Sequence, residues 1–245
     1  MARFHSQLSS TQKHLLIPPA PPVTFDAAGP GQNSNPTTGN WSHTITGNAL
    51  VVVASVALAN AGNSVTVKVG STSVPQVFRY NLALTTPILF FALLHPPLGV
   101  QTITLTVTGG GTNYWLAQSA TFCNVGAFGP AQFIGANAVA TGNQTVVSAP
   151  GQMIIQCFYQ LSALTGPMTN YNQNAIYSPA SGNMNTVIGT AIGSPKVNFS
   201  VTPLNSSANL GAAAITIRPA AQPLQVLTLP AIETLNLPMM RAGFL

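Results

Sequence analysis

Residues Thr102–Thr108 read TITLTVT, with Ile103, Leu105 and Val107 at every second position and threonine between them. A period of two sends alternate side chains to opposite faces of an extended chain, so this stretch predicts a strand with one apolar face turned inward. Threonine suits the outer face because its branched Cβ has a restricted χ1 that fits a pleated surface. The pattern recurs on either side. Ser64–Val69 (SVTVKV) turns Val65, Val67 and Val69 one way and Thr66 and Lys68 the other, and Val197–Thr202 (VNFSVT) turns Val197, Phe199 and Val201 inward. Ile215–Arg218 (ITIR) alternates likewise, whereas Leu50–Leu58 and Met153–Tyr159 are longer and more apolar, which predicts central strands covered on both faces.

Turn signals punctuate these runs at Ala61-Gly62-Asn63, Gly109-Gly110-Gly111, Thr141-Gly142-Asn143, Pro150-Gly151, Ser181-Gly182-Asn183 and Gly193-Ser194-Pro195. Glycine supplies positive φ, and proline and asparagine start turns. No helical stripe interrupts the series. The expectation is an all-β chain: a single jelly-roll-like antiparallel β-sandwich over residues 23–219. The Gly-rich GGGTN at 109–113 lacks the lysine and following helix of a phosphate loop and is expected to be a hairpin tip.

The two ends differ from the middle. In the N-terminal arm, 1–22, Phe4, Leu8 and Leu15 fall roughly along one helical face before Pro18-Pro19-Ala20-Pro21-Pro22 imposes an extended path. The C-terminal arm, 220–245, follows Pro219 and has prolines at 223, 230 and 238, a spacing that prevents a long helix or a central strand. Around them sit Leu224, Leu227, Leu229, Ile232, Leu235, Leu237, Met239, Met240 and Phe244. Apolar segments of this kind are expected to lie on another surface, and a neighbouring subunit is the favoured one.

Charge is scarce. The chain has 245 residues, 46% hydrophobic and 4% charged, with 7 Lys+Arg against 2 Asp+Glu, where an ordinary domain carries roughly 25% charged residues. High hydrophobicity argues against disorder. The sequence pI near 9.6 reflects missing acids. The cations Arg3, Lys13, Lys68, Arg79, Lys196, Arg218 and Arg241 are scattered singly, whereas nucleic-acid binding needs clustered cations to displace counterions. The longest apolar run, Ala49–Ala59, is well short of the roughly 20 residues of a spanning helix. No secretory signal is read at the start, so folding in a cytoplasm is expected. Cys123 and Cys157 are too few for a disulfide framework or zinc site and read as thiols among apolar neighbours.

Candidate chemistry is correspondingly thin. Acid–base catalysis draws on few residue types, and the only carboxylates are Asp26 and Glu233. His43 shares a strand face with Trp41 and reads as a surface or core histidine, while His95 precedes Pro96-Pro97 at a turn. His5 and His14 lie in the arm, and no histidine pair has metal-ligand spacing. A Ser-His-Asp triad would have Asp26 as its acid, but no G-x-S-x-G elbow occurs. No catalytic residue, metal or cofactor is therefore expected. The active alternative is carbohydrate binding, with Tyr114, Trp115 and Trp41 as stacking platforms beside asparagine-rich stretches.

The series TFDAAGPG from Thr24, WSHTITGNALVVVASVAL, SVTVKVGSTSVPQV, LLHPPLGVQTITLTVTGG and LGAAAITIRPA at Leu210–Ala220 resembles a β-sandwich family. That family is common among virion proteins of tailed phages infecting actinobacteria, often designated minor tail proteins. Its markers are an "NPP-G" step into a strand and a closing I-x-I-[KR]-P-A; here His95 stands where the family has asparagine. The resemblance covers roughly residues 23–220 and implies a non-enzymatic virion structural protein, multimeric, contacting other copies of itself and other virion proteins. Minor tail protein is the favoured expectation, with capsid decoration and a carbohydrate-binding adhesion module for host-surface glycan as alternatives. Neither nucleic-acid binding nor membrane insertion is expected.

Overall fold

The strand of TITLTVT is real, and its apolar residues are inward: Ile103, Leu105 and Val107 are buried while the threonines between them are not. It belongs to a computed structural model in which residues 19–34, 37–111, 113–136, 140–162, 164, 166–181 and 183–221 are described. The apolar arm side chains named above, Phe4 to Leu15 and Leu224 to Phe244, lie outside the described residues.

The described chain is all-β and every strand pairing is antiparallel. Its first half contains β1 (Thr24–Ala28), β2 (Gln32–Ser34), β3 (Thr38–Ile45), β4 (Ala49–Ala57), β5 (Ser64–Val69), β6 (Thr72–Val74), β7 (Gln76–Asn81), β8 (Pro87–Leu94), β9 (Gly99–Thr108) and β10 (Tyr114–Cys123). The second contains β11 (Val125–Ala136), β12 (Gly142–Val146), β13 (Met153–Leu161), β14 (Asn174–Tyr177), β15 (Ala180–Ser181), β16 (Met184–Ile192), β17 (Val197–Val201) and β18 (Leu210–Pro219).

In the first half β1 pairs with β10, β3 with β9, β4 with β8 and β5 with β6. That is one long antiparallel hairpin, rolled up so that β4 closes on β10 and β5 on β9. The result is a jelly roll of two sheets, β1-β10-β4-β8-β7 and β3-β9-β5-β6. The second half repeats the roll: β11 pairs with β18, β12 with β17, β13 with β16, and β13 closes on β18. Its outer sheet is only β12-β17, and the irregular segment from Thr169 to Gln173 takes the place of further strands through the Thr169–Thr202 bridge and Asn172 N–H donating to Ser200 O.

Even the register repeats. Phe25 faces Phe122, and Phe128 faces Ile217; Gly39 faces Leu105, and Gly142 faces Val201. Ala49 sits between Phe122 and Leu94 as Met153 sits between Ile217 and Ile192. The edge strands β1 and β11 both bulge just after their phenylalanine, at Asp26 and at Gly129–Pro130.

The two rolls stack through their inner sheets, β10 against β16 and β18 against β8, as an approximate two-fold axis requires. Four layers therefore enclose three cores. Leu50, Val52 and Phe91 meet Trp41, Val67 and Ile103 in the first; Val51, Val53 and Phe90 meet Ile155, Tyr159 and Ile215 in the central one; Ile154, Phe158 and Val187 meet Phe199 and Val201 in the third. This explains why β4 and β13 are apolar on both faces. The expected all-β antiparallel sandwich stands; alternating sequence identifies a half-buried strand but not how many sheets share a core, and here two rolls are stacked.

One correction concerns the glycine-rich stretch: Gly109, Gly110, Gly111 and Asn113 lie between β9 in an outer sheet and β10 in an inner one, so this is a corner between layers and not a hairpin tip. Positive φ at Gly109 (116°) and Gly111 (90°) makes the corner, and the Asn60 and Asn63 amides both donate to Gly110 O at 3.0 Å.

Candidate functional site

Strand direction gives the molecule two unlike poles. β4 and β13 run away from the pole where β10 and β18 end, so Ala49, Cys123, Met153 and Pro219 share one pole and Ala57, Tyr114, Leu161 and Leu210 the other.

At the first pole the chain enters and leaves the fold side by side. Asn124, with a left-handed φ of 62°, turns β10 into β11; its amide donates to Pro22 O at 3.0 Å and its carbonyl accepts from Ala220 N–H at 3.1 Å. Asparagine is among the few side chains that tolerate this backbone region. Val23 N–H donates to Gly151 O at 2.8 Å, fixing the start of the sandwich beside the same clasp. His95 has φ 53°, a left-handed backbone region in which histidine is among the favoured non-glycine residues.

Close to this pole Asp26 does lie near a histidine and a serine, His43 and Ser119, in an order unlike a catalytic triad. Trp41 Nε1–H donates to Ser119 Oγ at 2.8 Å, and the same oxygen lies 2.7 Å from His43 Nδ1. Thr121 donates its one hydroxyl proton to Asp26 Oδ2 at 2.8 Å, so its oxygen accepts from His43 Nε2–H at 3.4 Å, and in the neutral ring Nδ1 accepts from the Ser119 hydroxyl. The carboxylate reaches the histidine only through a threonine. Asp26 also accepts from Thr46 Oγ1 and from Gly47 N–H at 2.8 Å. Burial pushes its carboxyl upward, but these hydrogen bonds outweigh burial and hold it below the usual 3.8. Burial lowers His43 below 6.5, opposed only in part by the Asp26 charge, which favours the neutral ring at neutral pH. Ser119 is fully buried and His43 nearly so, which leaves no room for a substrate at the hydroxyl. What this chain of bonds does is fasten the edge strand β1, the turn at Thr46–Gly47, β3 and β10 to one another. The sequence reading missed Thr121 and Thr46 because a strand threonine looks alike whether it faces water or a carboxylate.

Of the three expected stacking platforms, two are corrected. Trp41 and Trp115 are 6% and 1% exposed, packed at 6.4 Å between the outer and inner sheets of the first roll. Alternation in β3 and the two-sided burial of β10 carry them inward, so neither offers a face to a sugar. Tyr114, one residue earlier on β10, points the other way and is 40% exposed. It lines a cleft of about 300 Å³ at the second pole with Ala57, Leu161, Asn183 and Met184.

Among the described residues no group of three or more histidine, cysteine, aspartate or glutamate side chains is placed to hold a metal, and no helix is long and apolar enough to cross a membrane. Cys157 is buried and Cys123 half-buried, both as free thiols. Comparison with protein-family models, with curated proteins and with solved structures finds no match to this chain.

Proposed function

We propose that the chain is a non-enzymatic structural subunit of a tailed-phage virion, a minor tail protein, anchored in a multimeric assembly by its two terminal arms. The observation that carries this reading is the clasp at Asn124, where Pro22 and Ala220 are bonded to one residue, so that both apolar, proline-punctuated segments depart from a single pole. An anchor needs that geometry, because segments leaving from opposite poles would have to double back to reach one partner surface. The surface supports it: with so few ions, contact with other subunits relies on shape, hydrogen bonds and apolar burial, which suits permanent interfaces better than transient ones. The sequence resemblance over residues 23–220 supplies the assembly.

Mass spectrometry of separated heads and tails of the phage that encodes the chain tests the reading. The protein is expected in the tail fraction, and a chain lacking residues 222–245 is expected to be made but not incorporated. Recovery outside particles altogether, or incorporation of the shortened chain, contradicts it.

A further inference from the structure

The second pole holds a second cleft, of about 250 Å³, lined by Leu82, Ala83, Thr86, Leu161, Ser207, Ala208 and Asn209. The two clefts are mates under the internal two-fold. Continuing the repeated register by one residue equates Ala57 with Leu161 and Tyr114 with Asn209, which immediately precedes β18. They meet at Leu161, which lines both and is 38% exposed.

Their chemistry is uniform. Formal charges in the described chain are confined to Asp26, Lys68, Arg79, Lys196 and Arg218, and none lines either cleft. What lines them is one half-open aromatic ring, aliphatic side chains and neutral polar groups. Among the described residues the Tyr114 hydroxyl and the Asn183 and Asn209 amides make no hydrogen bond with the protein, so their full capacity is open to a ligand. A ligand for such a surface has an apolar face to lie on Tyr114, hydroxyls for the amides, no charge to desolvate without a partner, and enough length to cross Leu161.

We infer that the paired clefts at the Tyr114 pole bind a neutral oligosaccharide, one sugar stacked on Tyr114 and the chain continuing over Leu161 toward Asn209. The site lies at the pole opposite the Asn124 clasp and stands independently of the anchoring role.

The test is calorimetric titration of the full chain with neutral gluco-, manno-, galacto- and arabino-tetrasaccharides, with sialylated and phosphorylated chains of equal length as controls. At least one neutral series is expected to bind saturably and the charged controls more weakly. Tyr114→Ala is expected to weaken binding about tenfold, the loss of one stacking contact, with Tyr114→Trp retaining it. Leu161→Arg, which puts bulk and charge on the shared ridge, is expected to abolish it. Should Tyr114→Ala lower the melting temperature enough to obscure the result, Asn183→Ala at the exposed rim reads the same site. No binding by any neutral series, equal binding of the charged controls, or unchanged binding in these variants overturns the inference. Removing residues 222–245 leaves the titration unchanged, so a failure here and a failure of anchoring are distinguishable.

Discussion

Gly39 and Gly142 occupy the same place in the two rolls, and each has a large side chain where a Cβ would go: the Trp115 ring in one, Leu210 in the other. The glycine is there to admit the core side chain. Gly39→Ala is expected to cost about 1–3 kcal/mol by overpacking, read as a shift of the denaturant midpoint; an unchanged midpoint means Trp115 has room to move aside. At Asp26 and His43 the prediction concerns pH. Both groups have folded-state values below their ordinary ones, so in acid the unfolded chain binds more protons than the folded one. The His43 contribution is complete above 6.5 and is lost as pH falls through its lowered value, and the Asp26 contribution is lost further down, below 3.8. The melting temperature should therefore fall as pH drops below 6.5, and His43→Gln, which keeps a donor and an acceptor but cannot charge, should flatten that first decline. A variant with the same pH profile as the parent would show that the histidine is not the group responsible.

At the scale of strands, position in the four layers decides what a substitution does. Ile155 on β13 is fully buried in the central core, and Ile155→Ala is expected to cost about 2–5 kcal/mol. Thr66 on β5 faces outward from an outer sheet, and Thr66→Ala should stay within about 0.5 kcal/mol. Chemical denaturation of the two variants side by side checks the contrast, and equal costs would contradict the layering. The same distinction governs what could be read beforehand. β5, β9 and β17 are outer strands with one wet face, and their alternation is legible at a glance. β4 and β13 announce burial on both faces but not what covers each. Trp115 could not be separated from Tyr114 by pattern, since β10 is buried on both faces and only its register distinguishes an inward ring from one at the cleft. The corner at 109–111 carries the glycines of a hairpin, and nothing local says that its flanking strands belong to different sheets. The repeat was hinted at by Thr38-Gly39-Asn40 and Thr141-Gly142-Asn143, too short a match to separate from a recurrent turn signal until the pairings aligned around it.

Over the whole molecule, duplication and polarity belong together. Stacking two rolls through their inner sheets covers both faces of β4, β10, β13 and β18. Equivalent ends of the two rolls gather at common poles: the Asn124 clasp, where the described chain enters and leaves the fold, at one, and the two clefts at the other. On the proposed reading, the anchoring pole and the inferred sugar site are thereby kept apart. The most direct measurement is the mass of the particle in solution, by light scattering or native mass spectrometry, for the full chain and for residues 20–221 alone. The account predicts a multimer for the full chain and a folded monomer for 20–221; a monomeric full chain, or a 20–221 fragment that remains multimeric, would contradict it.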